Sequence, residues 1–220
     1  MLNFEAAILE MPLVAILRGL TTSEAEPVGE ALIAAGFRFI EVPLNSPDAF
    51  TSIATLQANF GKQAIIGSGT VLDEADVGKT VAAGGRLIVM PHCDPDVIRA
   101  AKIEGAIAMP GIASPTDALT ALDAGADALK AFPAELLSPN VIRSMKAVLP
   151  VETKIMPVGG ITPEIMPDYV AAGACGFGLG SAVFKPGDPV TKVAEQARQF
   201  VTAMETLLAG REKVALEPAQ

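Results

Sequence analysis

Short apolar runs recur along the chain, each followed by a loop and then by a longer stretch with alanines and aliphatic residues on one face. The runs are Leu13–Arg18, Phe39–Leu44, Ala64–Thr70, Leu87–Pro91, Ala106–Pro110, Ala128–Phe132, Lys154–Val158 and Gly176–Leu179, spaced at roughly 20–25 residues. They are apolar on both faces, which predicts parallel strands covered on two sides. The intervening stretches predict helices over 23–35, 47–60, 73–83, 94–104, 115–124, 139–148, 163–172 and 189–209, and residues 3–10 read as a short amphipathic helix. Capping residues stand at the expected starts in Thr22-Ser23, Ser46-Pro47, Asp94-Pro95, Ser114-Pro115, Ser138-Pro139 and Thr162-Pro163. Glycine closes many of them, as in Ala35-Gly36, Glu104-Gly105, Ala124-Gly125 and Ala172-Gly173. Eight strand–helix units predict an α/β fold of the closed (β/α)₈ type, a TIM barrel, as one domain over residues 1–220. The alternative, an open doubly wound sheet, lacks its glycine fingerprint: the first strand–helix turn reads Arg18-Gly19-Leu20-Thr21. The polar stretch 210–220 reads as a frayed tail.

Composition narrows the function classes. Half of the 220 residues are hydrophobic and 19% are charged, enough to build a sizeable core. A net charge of −9 opposes binding to nucleic acid or an anionic membrane surface. No apolar stretch reaches the ~18 residues of a membrane span. The first eleven residues carry Glu5 and Glu10 and no basic segment, so a cytoplasmic location is expected. Cys93 and Cys175 lie far apart without metal-ligand spacing. His92 is the single histidine; it reads as a loop residue, and one imidazole without clustered carboxylates argues against a metal site.

One lysine among nine interrupts an apolar run: Lys130, in Ala128-Leu129-Lys130-Ala131-Phe132-Pro133. Burying an ammonium is costly, and a buried lysine relieves the cost by losing its proton more easily. The free amine is a nucleophile that condenses with carbonyls. Glu41, between Ile40 and Val42, is the matching carboxylate inside an apolar strand. Barrels of this kind carry their chemistry at the carboxyl ends of the strands. There the chain places Arg18, Thr70 after Gly67-Ser68-Gly69, and two glycine loops, Gly159-Gly160-Ile161-Thr162 and Gly178-Leu179-Gly180-Ser181. Loops at the last two strands are where such barrels hold phosphate on backbone N–H groups. Each charge alone suits a structural ion pair, whereas their convergence on one mouth favours catalysis.

Together these stretches resemble the class I aldolases of 2-keto-3-deoxy-6-phosphosugar acids. The resemblance is carried by Ala15-Ile16-Leu17-Arg18-Gly19, by Ile40-Glu41-Val42-Pro43-Leu44-Asn45-Ser46-Pro47 and by Gly67-Ser68-Gly69-Thr70-Val71-Leu72. The strand around Lys130 and Pro157-Val158-Gly159-Gly160-Ile161-Thr162 complete it, in order, over about residues 12–208. It implies a homotrimeric barrel that needs no cofactor and splits a small phosphorylated keto acid into pyruvate and glyceraldehyde 3-phosphate. It also implies that Lys130 forms the Schiff base, Glu41 shuttles protons, and Arg18 and Thr70 bind the pyruvate carboxylate. Gly159, Gly160, Gly180 and Ser181 would hold the phosphate, and Phe132 would pack beside the imine. Asn45 stands where the gluconate branch of the family carries arginine, and Val158 where it carries threonine. With Arg18, these resemble the galactonate branch. The same reaction on the gluconate-derived acid is the alternative. An isomerase with Glu41 as base, or a non-catalytic sugar-phosphate sensor, are rivals from other classes.

Overall fold

The computed structural model describes residues 2–216, and of 211–216 the backbone only. After helix α1 (Phe4–Glu10), strands and helices alternate: β1 (Leu13–Ile16), α2 (Thr22–Ala35), β2 (Phe39–Pro43), α3 (Ala49–Phe60), β3 (Ile65–Gly69), α4 (Glu74–Ala82), β4 (Leu87–Val89) and α5 (Pro95–Ile103). The chain continues through β5 (Ile107–Met109), β6 (Gly111–Ile112), α6 (Pro115–Asp123), β7 (Leu129–Ala131), α7 (Pro139–Lys146), β8 (Ile155–Pro157), α8 (Met166–Ala171), β9 (Phe177–Leu179) and α9 (Val190–Leu216). The strands are parallel and form a six-stranded sheet, β5-β4-β3-β2-β1-β9, and a three-stranded one, β6-β7-β8. This is an α/β fold with helices packed on a parallel sheet. Among the described residues no helix is long and apolar enough to cross a membrane.

The expected strand Ala106–Pro110 ends as β5 at Met109, and a further segment, β6, follows Pro110; the proline is the reason. Pro110 has no N–H to donate. Before it the chain pairs with β4, where Met90 N–H donates to the Met109 carbonyl at 3.1 Å. At Pro110 the carbonyl accepts from Lys130 N–H at 2.8 Å, and β6 then pairs with β7. At the other junction Val158 and Gly178 form a parallel bridge between the chain beyond β8 and β9.

Several expected helix starts also move. Ser46 caps nothing: its Oγ accepts from Gly19 N–H at 2.9 Å, tying the loop after β1 to the loop after β2. Asp48 precedes α3 in a left-handed conformation instead. Thr21, rather than Thr22-Ser23, precedes α2, and its N–H donates to the Glu24 carboxylate at 2.9 Å. Thr162-Pro163 opens a turn, and α8 begins at Met166. Asp94 and Ser114 cap as expected, accepting from Asp96 N–H at 2.9 Å and Asp117 N–H at 3.2 Å. Helix α9 runs to Leu216 rather than ending at 209; the rest of the expected tail, 217–220, lies outside the described residues.

Alternation along each strand divides the core in two. Leu13, Ala15, Ile40, Val42, Ile66, Ile88 and Leu129 face the helices in one large cluster. Val14, Phe39, Ile65, Leu87, Val89, Met109, Ala128 and Met156 form the second, which draws on strands of both sheets. Ala7 and Ile8 of α1 belong to this inner cluster, and the Phe4 ring meets Phe39 edge-on at 5.9 Å. Helix α1 is fastened at the amino ends of the strands. Lys154 reaches Glu5 at 3.0 Å, Arg38 pairs with Glu10, and Arg86 donates to the Leu2 carbonyl at 3.2 Å. Water is thereby kept from that end of the inner cluster.

Phe39 is fully buried at the contact between α1 and the strands. Phe39→Ala should destabilise the fold by roughly 3–5 kcal/mol, the usual cost of emptying an aromatic site. Urea unfolding of the two proteins checks this; a loss below 1 kcal/mol would mean α1 is not part of the cooperative core.

Candidate active site

Lys130 and Glu41 lie on the inward faces of β7 and β2, one layer above the apolar inner cluster. Their neighbours Leu129, Ala131, Ile40 and Val42 point the other way, into the outer core. Register brings Glu41 level with Gly67 of β3 and Ile16 of β1. Lys130 is 5% exposed and Glu41 1%. Glu41 Oε2 has no hydrogen-bond partner. It rests against Gly69, where a Cβ would overlap the carboxylate. Any other residue at 69 would push Glu41 out of this position.

Burial controls the ionisation of both groups. Desolvation lifts the Glu41 carboxyl from its ordinary 4.5 to about 7, against the opposing pull of the Lys130 and Arg18 charges. Desolvation likewise pushes the Lys130 ammonium down; the Glu41 carboxylate opposes this and the Arg18 guanidinium adds to it. The amine therefore gives up its proton more readily than an exposed lysine, while the acid keeps its own near neutrality. The Lys130 Nζ lies 4.9 Å from the centre of the Phe132 ring, a face that favours a cation on that nitrogen.

A cavity of about 300 Å³ opens above this pair, in the size range of small-molecule sites. Arg18, Lys130 and Phe132 form one part of its wall, and Gly159, Gly160, Gly180 and Ser181 another. Arg18 sits in the turn after β1, beyond the strand expected to contain it. Gly159 and Gly160 both have positive φ, 114° and 60°, a conformation that favours glycine. Seven of the nine residues expected at the site thus line one cavity. Glu41 lies behind the wall and acts on it electrostatically. Thr70 is not on the wall: it follows β3 in a left-handed conformation, φ 56°, next to Gly69. His92 lies in the exposed loop after β4, 3.9 Å from Asp94, away from the cavity. Among the described residues no group of His, Cys, Asp and Glu could hold a metal ion.

Two charged residues at the site escaped the sequence reading. Lys185, in the loop after β9, lines the cavity, and the Glu135 carboxylate lies against Gly159 and Gly160. Both are exposed and lie in loops, between Ala134 and Leu136 and between Phe184 and Pro186, outside any strand. The available signal was position: Glu135 lies five residues after Lys130 and Lys185 four after Ser181.

Residues 4–196 match the family model described as "Aldolase: KDPG and KHG aldolase". The chain belongs to this family. A protein of Rhizobium meliloti (strain 1021) described as a probable 2-dehydro-3-deoxy-6-phosphogalactonate aldolase is 46% identical over 204 residues, 93% of this chain and 96% of the relative. The 2-dehydro-3-deoxy-6-phosphogalactonate aldolase of Escherichia coli (strain K12) is 44% identical over 194 residues, 88% of this chain and 95% of the relative. A solved structure described as native KDPGal superposes with a TM-score of 0.89 at 43% identity, covering 91% of this chain and 97% of the other. As a member of the family the protein is a class I, Schiff-base aldolase, a carbon–carbon lyase.

The raised Glu41 has a consequence for folding. Between about pH 4.5 and 7 the unfolded chain has released this proton while the folded protein holds it, so stability falls as pH rises through that window. Below the window both states are protonated, and above it the loss is complete. Glu41→Gln should remove this loss and so gain roughly 1–3 kcal/mol more, relative to wild type, at pH 8 than at pH 4. Denaturant unfolding at the two pH values measures it. Equal differences at both would mean that Glu41 ionises like an exposed carboxylate.

Proposed function

We propose that this enzyme cleaves 2-dehydro-3-deoxy-6-phosphogalactonate to pyruvate and glyceraldehyde 3-phosphate through an imine on Lys130. The carrying observation is the buried pair, an amine on the cavity wall and an acid behind it, each driven toward its neutral form. The neutral Lys130 amine attacks the C2 ketone. Glu41, protonated near neutral pH, supplies the proton with which the carbinolamine hydroxyl leaves as water, and an iminium remains. Phe132 stabilises that cation through its ring face. The Glu41 carboxylate, directly or through a water, then takes the C4 hydroxyl proton. The C3–C4 bond breaks, its electron pair forms the enamine, and the aldehyde departs. Glu41 returns the proton to C3, and water hydrolyses the pyruvate imine. An acid with a pKa near 7 suits these alternating roles.

Arg18, on the cavity wall, pairs with the substrate carboxylate in this reading; Thr70, off the wall, is given no contact with it. Gly159, Gly160, Gly180 and Ser181 receive the phosphate on backbone N–H groups and a hydroxyl. Preference for the galactonate series over the gluconate series is supported by Val158, which puts an apolar side chain on the cavity wall, and by the two galactonate relatives. A comparison of kcat/KM on the two substrates tests it.

We extend the proposal to the architecture. One closed eight-stranded barrel in a single domain is supported by the inner cluster drawn from both sheets, by the continuity of β5 and β6 across Pro110, and by the bridge between Val158 and Gly178. A homotrimer rests on the family resemblance.

Lys130→Ala and Lys130→Arg should both abolish cleavage, since a guanidinium stays protonated and is no nucleophile. Borohydride with pyruvate should add mass to wild type and to neither variant. Near wild-type turnover in a folded Lys130→Ala protein would refute the imine.

Ser181→Asp should weaken the phosphorylated substrate and leave pyruvate trapping unchanged. A carboxylate a few ångströms from the phosphate costs on the order of 1–4 kcal/mol at intermediate dielectric. Equal weakening of both would place the phosphate elsewhere.

A further inference from the structure

A phosphate monoester carries a charge near −2 at neutral pH, yet the glycine loops and Ser181 offer it only neutral donors. The surroundings are unfavourable as well. The Glu135 carboxylate lies over the Gly159-Gly160 turn, so close that a Cβ on Gly159 would stand 2.5 Å from its Oε2. The chain as a whole carries −9. A compensating cation is required at this end of the cavity.

Three cations line the wall: Arg18, Lys130 and Lys185. Lys130 is committed to the imine. Arg18 acts electrostatically on both Lys130 and Glu41, which puts its charge at the imine end. Lys185 remains. It follows Gly180 and Ser181 on the same loop, its side chain is exposed, and it forms no ion pair with any described residue.

The backbone around Lys185 is anchored on both sides. Phe184 before it is buried at 3% exposure. Pro186 after it packs on Gly19, where a Cβ would come within 2.6 Å of its Cγ. The next N–H, of Gly187, helps hold the Glu24 carboxyl below its ordinary range. A flexible side chain with an unpaired charge thus projects from a fixed stem beside the phosphate loops.

We propose that Lys185 is the cation that binds the substrate phosphate, and that it makes the enzyme discriminate phosphorylated from unphosphorylated keto acids. The inference rests on the aldolase reading above. Lys185 touches no reacting atom, so it acts in binding and not in bond cleavage. With Lys130 at C2 and Lys185 at the phosphate, the two lysines would measure the length of the substrate.

The test uses Lys185→Gln and Lys185→Arg in the full chain. Lys185→Gln should raise KM for the phosphorylated substrate, and the inhibition constant of inorganic phosphate, by roughly 10- to 100-fold, the worth of one charge-assisted hydrogen bond, with kcat changed by less than about twofold. The pyruvate concentration for half-maximal borohydride trapping should not move, and Lys185→Arg should recover most of the affinity. Unchanged KM and phosphate inhibition in Lys185→Gln would overturn the proposal, as would parallel weakening of pyruvate trapping. Should wild type neither trap pyruvate nor cleave a phosphorylated keto acid, the aldolase reading would fail instead. Calorimetric titration of wild type and Lys185→Gln with inorganic phosphate still decides the role of Lys185 in that event, equal affinities overturning it.

Discussion

Desolvation of two ionisable side chains is the constraint on which the rest of this molecule depends. An ammonium and a carboxylate in the interior cost more than their mutual attraction returns unless hydrogen bonds complete the pair. Here Glu41 Oε2 has no such bond. The cost is relieved by shifting protonation, with the acid raised and the amine lowered. Both shifts run toward the protonation states that carbonyl condensation uses.

Much of the architecture maintains that condition. The inner cluster beneath the pair is hydrocarbon, and α1 seals its far end with Ala7, Ile8 and Phe4. Gly69 lets the Glu41 carboxylate lie against the neighbouring strand. Lys130 opens onto the cavity at the carboxyl ends of the strands, where Arg18 and the glycine loops stand. Charge is distributed along the cavity: Arg18 acts on the buried pair, the glycine loops carry no charge, and Lys185 lines the same wall.

Strong local contrast made part of the site readable from sequence. Lys130 and Glu41 stand out because a charge flanked by buried aliphatic residues on a strand is costly without a purpose. The Gly159-Gly160 pair stands out because few residues other than glycine tolerate the positive φ both adopt. Strand and helix alternation was equally plain, since periods of two and of about 3.6 are written in the order of residues. Cap positions were less secure: Ser46 has the chemistry of a cap and serves instead as a tie between two loops.

By itself the sequence determined the parallel α/β architecture and the buried lysine and glutamate, which follow from local periodicity and from residue type against its neighbours, and the family, which follows from the resemblance of its ordered motifs. The tertiary structure decided the rest. Pro110 hands its strand from β4 to β7, α1 covers the amino ends, Thr70 falls off the cavity wall, and Lys185 and Glu135 meet the glycine loops. These depend on strand register and on where loops from distant parts of the chain come together. An exposed loop lysine has the same sequence signature whether it faces solvent or a substrate; only the position of the cavity distinguishes the two.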